Sequence, residues 1–395
     1  MRPGDVIELA VDGLAAGGAG VGRTAEGRVV FVRRTAPGDL VRARVTRVRP
    51  RLAYAELIEV VQPSAERVVP PCALAASGAC GGCPWQHVEL AAQRRAKQIL
   101  VERALRGAVA GGLVVEPVRT PGPALGWRRR ARLHVEAGVV GMRAEASHAL
   151  TPVARCPQLE PALDRARAAV AAAAPPDGEL ALLLGHRGEV AVAVDAAWPA
   201  AAALLGTAGI ASIVAGSTVH GAATVEVDPG IAARASDFAQ ASRPGNDALV
   251  AEVMGALGAG PGRLLELYAG AGNLTRAAVA AGWEVVASDG ARPPGPHPAA
   301  RFVAAPAARA VERLRGERFD AILIDPPRAG AADVMPALAG FGARRLVYVS
   351  CDPATLARDL DRVADAWHAE RAVPLDLMPQ TDHVEVVVTL VARDR

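Results

Sequence analysis

A chain of 395 residues, 51% hydrophobic and 22% charged, has the composition of a folded protein and is too long for one ordinary core, so two or three units are expected. No apolar run approaches the roughly 18 residues needed to cross a bilayer, and the opening Met1-Arg2-Pro3-Gly4-Asp5 lacks the apolar core of a leader, so the expected setting is a reducing cytoplasm with no membrane partner. The net charge of +3 names no partner, and five cysteines in a reducing compartment exclude a disulfide framework.

Residues 4–60 alternate in the manner of short strands at 5–9, 28–32, 39–45 and 53–60, with glycines at 17–22 and Pro37-Gly38 between them. That pattern predicts a small antiparallel β-barrel. Between Arg28 and Arg51 eight arginines stand against one acid, Asp39, a local balance of +7. Such a surplus suits a phosphate backbone, because neutralised phosphates release counterions; a solvated strand face is the alternative. A second basic group, Arg128, Arg129, Arg130 and Arg132, follows Trp127 and reads the same way.

Residues 63–84 are loop-like and hold Cys72, Cys80 and Cys83, and Val88–Leu105 is a predicted helix with Lys97 and several arginines on its wet face. The spacing Cys72-x7-Cys80-Gly-Gly-Cys83, with Cys156 much later, is that of a thiolate cluster for zinc or for an iron–sulfur centre, and spacing does not choose between them. A mixed region punctuated by Pro and Gly runs to about 235. Within it the Ala-rich stretch 165–176 is interrupted by Arg165 and Arg167 and closed by Pro175-Pro176, which predicts a helix of a water-soluble fold.

From about 238 strands and helices alternate regularly. Strands at 264–267, 284–288, 321–324, 346–350 and 384–390, with helices at 274–281, 307–315, 332–340 and 354–366, predict a doubly wound α/β sheet. The first strand runs into Gly270-x-Gly272-Asn273 and a helix, and Asp289 ends the next strand, where an acid can hold ribose hydroxyls. This unit fits a dinucleotide or S-adenosylmethionine; Thr275 in place of a third glycine favours the methyl donor. Asp325, in Ile324-Asp325-Pro326-Pro327-Arg328, and Cys351, in Ser350-Cys351-Asp352-Pro353, leave successive strands, where an open sheet binds ligands. An isolated cysteine is usually an inert core residue, but one leaving its strand into Asp-Pro suits that role poorly. The segment Thr381-Asp382-His383-Val384-Glu385 heads the last strand, and if that strand runs antiparallel, His383 or Glu385 is brought to Cys351 as a base.

Together these motifs resemble one family over nearly the whole chain, the RNA uracil-C5 methyltransferases that act on tRNA and 23S rRNA. Residues 1–62 are similar to a TRAM domain (Val11-Asp12-Gly13, Gly20-Val21-Gly22, Pro37-Gly38-Asp39), and Cys72 through His87 to the family's cluster segment. Tyr348–Asp359 resembles the catalytic cysteine motif, and Asp376 with Pro379–Glu385 resembles the segment carrying the base. The resemblance implies a TRAM-like RNA-binding barrel (1–62), an α+β iron–sulfur and central domain (63–235) and a Rossmann-like class I methyltransferase domain (236–395). It implies a monomeric enzyme that binds structured RNA at a loop uridine, uses S-adenosylmethionine, and holds a [4Fe–4S] cluster on Cys72, Cys80, Cys83 and Cys156. By the same likeness Cys351 is the nucleophile, Glu385 the base and Asp325 a contact to the uracil edge, while Gln240, Tyr268, Gly270, Gly272, Asp289 and Asp325 line the donor site. A thiolate is required because uracil C5 is a poor nucleophile until a group adds at C6.

The chain departs from the family's pattern where Gly290-Ala291-Arg292-Pro293-Pro294-Gly295-Pro296-His297 replaces an Asn- and Ala-rich helix, where Phe302–Pro306 lacks an acid that contacts adenine, and where Ser242 stands in place of Asn. Two other readings follow from parts of the chain. The Pro-rich segment 293–298 motivates a non-catalytic RNA-binding iron–sulfur protein with a degraded donor site. The glycine turn alone fits a zinc-stabilised nucleotide-binding oxidoreductase, which leaves Cys351 and Glu385 unexplained.

Overall fold

Alternation in the first sixty residues closes a five-stranded barrel from Val6–Leu14, Gly20–Arg23, Val29–Val32, Leu40–Val48 and Leu52–Gln62. In the fourth strand Val41, Ala43 and Val45 point into the barrel core while Arg42, Arg44 and Arg47 stand outside, the period-2 pattern of a half-buried strand. The barrel is not wholly antiparallel: Val29–Val32 pairs in parallel with Leu52–Gln62. The short Gly20–Arg23 strand escaped the sequence reading because two of its four residues are glycines.

This computed structural model describes residues 1–393, which fall into two compact units, each built from separate stretches of chain. The first comprises 1–100, 140–157 and 378–383. In it, Trp85 packs with Leu14, Ala36, Val88, Ala92 and Ala96, and its ring Nε1–H donates to the Gly18 carbonyl at 3.2 Å. Lys97, expected on a wet face, is instead fully buried and donates from Nζ to the Met378 carbonyl at 3.1 Å. The buried Asp39 carboxylate is likewise no barrel-surface charge: Arg67 pairs with it at 2.6 Å and the amides of Ala36 and Ser64 donate to it.

The second unit comprises 101–139, 158–377 and the chain from 384. One of its sheets runs Thr218–Gly221, Ile210–Ala215, Val190–Val194, Gly178–Leu184, Arg130–Glu136, with one parallel pair, and the helix Pro161–Ala172 buries Leu163, Ala166 and Val170. Its other sheet carries the predicted α/β pattern. We label its strands β1 (Gly262–Leu267), β2 (Trp283–Asp289), β3 (Arg301–Ala304), β4 (Ala321–Ile324), β5 (Arg345–Ser350), β6 (Trp367–Leu375) and β7 (Glu385–Ala392), and the helices α1 (Arg243–Leu257), α2 (Asn273–Ala280), α3 (Ala307–Arg313) and α4 (Pro353–Asp361). The strand order is β3-β2-β1-β4-β5-β7-β6, extended at the β6 edge by Val114–Val115. Strands β1 to β5 are parallel, and β7 is antiparallel to both β5 and β6. The near-continuous apolar runs of β4 and β5 bury both faces, as a covered parallel sheet requires. The predicted helix at 332–340 is a 3-10 turn, Met335–Phe341, because Pro336 and Gly340 remove an amide donor and add backbone freedom there.

Candidate active site

Register places the reactive groups. Strand β7 runs against β5 with Ser350 paired to Val386, so the next position outward sets Cys351 opposite Glu385. Directly opposed residues of an antiparallel pair project on the same side with their Cβ atoms roughly 5 Å apart. Glu385 is buried, 6% exposed, whereas Cys351 is half-buried at the mouth of its strand, ahead of α4, whose first turn is capped by Asp352 accepting from Thr355 N at 2.8 Å. Asp325 leaves the adjacent strand β4, three residues ahead of Arg328.

Electrostatics report the same neighbourhood. The Cys351 thiol is raised to about 11, first by burial and then by Glu385 and Asp325, against the pull of the Arg328 guanidinium beside it. Glu385 is held well above the ordinary carboxylate range, first by burial and then by Asp325, against the pull of Arg328. Burial raises Asp325 too. Two neighbouring carboxyls in a low-dielectric site do not readily both ionise.

The loop carrying Asp325 and Arg328 is fixed by α4. Asp359, fully buried, accepts from Tyr348 Oη and from the Ala331 amide, each at 2.7 Å, and Arg358 donates to the Ala329 carbonyl at 2.7 Å. Thr355 Oγ1 donates to the Arg328 carbonyl at 3.1 Å.

The glycine turn lies between β1 and α2. Gly270 and Gly272 have φ of 56° and 91°, left-handed values that favour glycine, and Tyr268 holds φ 64° without being one. The Gly270 amide donates to Asp289 Oδ2 at 2.9 Å, which turns the β2-end carboxylate toward the turn. Behind it, Glu266 is fully enclosed, accepts from Thr275 Oγ1 at 2.6 Å, and is raised by burial to about 8. Gln240 sits on the approach to α1, where its carbonyl accepts from Arg129 Nε at 2.8 Å.

Arg129 was expected to serve in a phosphate-binding patch, and the structure removes it from one. It is fully buried, with both terminal nitrogens on Asp228 at 2.8 and 2.9 Å. Asp228 also accepts from Asn246 at 3.3 Å, and Asn246 and Asn273 exchange side-chain amide bonds at 3.1 and 2.7 Å, so the Gln240 segment and the glycine turn share one polar framework. Of the neighbouring arginines, Arg132 pairs with Glu179 at 2.8 Å and Arg130 lies over the Phe238 ring.

Two family models match this chain: TRAM domain over residues 2–58 and tRNA (Uracil-5-)-methyltransferase over residues 303–393. A 23S rRNA (uracil(1939)-C(5))-methyltransferase of Alkalilimnicola ehrlichii is 33% identical, spanning 97% of this chain and 96% of that protein. The chain belongs to the RNA uracil-5-methyltransferase family. An uncharacterized RNA methyltransferase of Streptomyces coelicolor is 32% identical over 98% of the chain and 93% of its own length. Among solved structures, the Pyrococcus abyssi tRNA (uracil-54, C5)-methyltransferase in complex with S-adenosyl-L-homocysteine matches with a TM-score of 0.74 at 21% identity, covering 98% of this chain and all of that one, and so shares the fold.

For a uracil-5-methyltransferase the structure gathers Cys351, Glu385 and Asp325 at one end of the sheet and puts Tyr268, Gly270, Gly272 and Asp289 around one turn. His383, the other candidate base, precedes β7 and falls in the first unit. Arg328, Asp228 and Asn246 had no assigned part from sequence; the only signal for Arg328 was its place directly after Asp325-Pro-Pro. The cluster cysteines Cys72, Cys80, Cys83 and Cys156 all belong to the first unit, and none is in a disulfide. The loop that holds Cys80 is stitched to the hairpin Val139–Arg143 and Leu150–Pro152 by Gly81 N to the Arg143 carbonyl at 3.2 Å and by Thr151 Oγ1 to the Ala79 carbonyl, and Cys156 lies just beyond that hairpin. Among the described residues no three His, Cys, Asp or Glu side chains are gathered to hold a single metal ion.

Proposed function

We propose that this protein methylates uridine C5 in a structured RNA, 23S rRNA or tRNA, with S-adenosylmethionine as methyl donor and through a covalent Cys351–C6 adduct. The observation that carries the mechanism is the β5–β7 register, which opposes Cys351 and Glu385 while Asp325 leaves the adjoining strand.

The donor supplies an electrophilic methyl on a sulfonium sulfur. Cys351 loses its proton to solvent under the influence of Arg328, and its thiolate adds to uracil C6. Charge then develops on the uracil oxygen, to which the Asp325 carboxyl, raised by burial to about 7, donates a hydrogen bond in its protonated form. C5, now nucleophilic, takes the methyl as the methyl–sulfur bond breaks, releasing the neutral thioether S-adenosylhomocysteine. Glu385, as carboxylate, removes the C5 proton; the C5–C6 double bond re-forms and the thiolate leaves. Tyr268, Gly270, Gly272, Asp289 and Gln240 are assigned to donor binding, with Asp289 accepting from ribose hydroxyls. The target base must be unstacked to reach such a pocket, which favours a loop uridine, and the arginine-studded barrel is the assigned grip on the RNA backbone.

The four thiols of the first unit suit a [4Fe–4S] cluster in donor chemistry. A four-iron cluster sets its thiolates farther apart than a single ion does, so the absence of a three-ligand single-ion site among the described residues is compatible with it. Cys72, Cys80, Cys83 and Cys156 would hold it, as a structural clasp on the loop and hairpin; none of the chemistry above passes through it. A cytoplasmic monomer is the form this reading expects.

The reading is tested by incubating purified protein with unmodified rRNA and tRNA transcripts and labelled donor. Label in 5-methyluridine, lost in C351A, is expected. An unchanged rate in C351A refutes the nucleophile assignment, and donor binding without any transfer would revive a purely RNA-binding role.

A further inference from the structure

The segment 290–298, which departs from the family's pattern, packs against the glycine turn. His297 stacks on Phe302, ring centroids 4.5 Å apart at 36°. A Cβ built on Gly272 would stand 3.1 Å from His297 Nε2, and 2.6 and 2.8 Å from two Pro298 ring carbons, so this histidine and proline lie directly on the bare face of Gly272.

The ring's tautomer follows from its one bond. Nδ1 accepts from the Ala299 amide at 3.2 Å, so Nδ1 carries no proton and the neutral ring holds its hydrogen on Nε2. Burial lowers the ring's proton affinity and so keeps it neutral, against the opposing influence of Asp289. Nε2 is buried and has no hydrogen-bond partner among the described residues. A buried N–H without an acceptor is uncommon and costly in a folded protein unless something supplies the acceptor.

The surroundings limit what that acceptor is. Asp289 has one oxygen taken by Gly270 N at 2.9 Å and the other by Ala291 N at 2.9 Å, yet each carboxylate oxygen has a second lone pair for a hydroxyl. A ribose hydroxyl that donates to Asp289 presents its own oxygen as acceptor to a neighbouring N–H. Resting on the donor reading given above, we infer that His297 is a donor-binding residue whose Nε2–H donates to a ribose hydroxyl oxygen of the adenosyl group. An imidazole N–H thus closes this side of the pocket. The proline-rich segment is then a rebuilt pocket wall, and the site is not degraded.

The test is calorimetric titration of S-adenosylhomocysteine, and of its 2′-deoxy and 3′-deoxy ribose analogues, into the full-length wild type, H297F and H297N. Phenylalanine keeps the stack on Phe302 and lacks the N–H; asparagine restores an N–H donor. Urea midpoints of the unliganded variants report whether the turn survives. The expected result is about tenfold weaker binding for H297F, partial recovery in H297N, and one deoxy analogue whose loss of affinity is about tenfold larger for the wild type than for H297F. Wild-type binding that H297F matches or exceeds overturns this inference alone. No binding to the wild type overturns it together with the donor reading.

Discussion

The state of the Cys351 thiol gives the most direct prediction about the unliganded enzyme. With its pKa near 11, about a thousandth of the thiol is ionised at pH 8, against about a quarter for an ordinary cysteine of pKa about 8.5. The thiolate is thus roughly 200-fold scarcer, and its greater intrinsic nucleophilicity, with a Brønsted slope of about 0.45, offsets roughly tenfold of that. Alkylation of Cys351 by iodoacetamide at pH 8 is therefore about 20-fold slower than that of a cysteine peptide, and its rate climbs without a plateau to pH 10. Removing the opposed charge in E385Q lowers the thiol pKa. Each unit of lowering gives ten times the thiolate at about a third of the reactivity, a net gain of about threefold. Peptide-resolved mass spectrometry separates Cys351 from the other four thiols. Cys351 reacting at peptide rates at pH 8, or a rate indifferent to E385Q, would refute the placement of the carboxylates beside it.

Glu266 titrates at about 8 in the folded chain, far above an unfolded glutamate, so its contribution is present at low pH and lost as pH rises from about 4.5 through 8. E266Q keeps an acceptor for Thr275, and its stability advantage over wild type in urea denaturation grows by a few kcal/mol between pH 5 and 8, then levels; a difference flat with pH contradicts this. R129M, which strands Asp228 beside the glycine turn, costs about 3–5 kcal/mol by the same assay, and D228N in that background recovers part of it. On the barrel, R44A and R49A remove exposed guanidiniums, and each lessens the slope of log affinity for RNA against log salt by about 1; an unchanged slope places the RNA backbone elsewhere.

Much of the catalytic arrangement was legible because strand ends are punctuated. Asp325 and Cys351 each leave a β-branched run into a proline-containing turn, and that break in pattern marks the ligand-binding edge of a parallel sheet. The antiparallel sense of β7 was only conditional in the sequence; the observed register brings Glu385, rather than His383, opposite Cys351. Buried charge was not legible. Arg129 reads as one of a run of surface arginines, and its burial depends on Asp228, 99 residues away, which no local pattern connects to it. Lys97 was misjudged for the same reason, its partner Met378 lying 281 residues on. The sheet between 130 and 221 went unread because Leu180–Leu184 and Val190–Val194 are short, continuous apolar runs, and periodicity cannot separate a buried strand from a buried helix there.

The central claim is that Cys351 bonds to the RNA base while Glu385 releases it, and the most direct measurement is peptide mapping of a denaturant-stable RNA–protein adduct formed by E385Q with donor present. Without the carboxylate the methylated intermediate cannot lose its C5 proton, so the adduct is predicted to accumulate, with the uridine mass on the peptide containing Cys351. An adduct on any other residue, or none at all while E385Q turns over at the wild-type rate, would contradict the account.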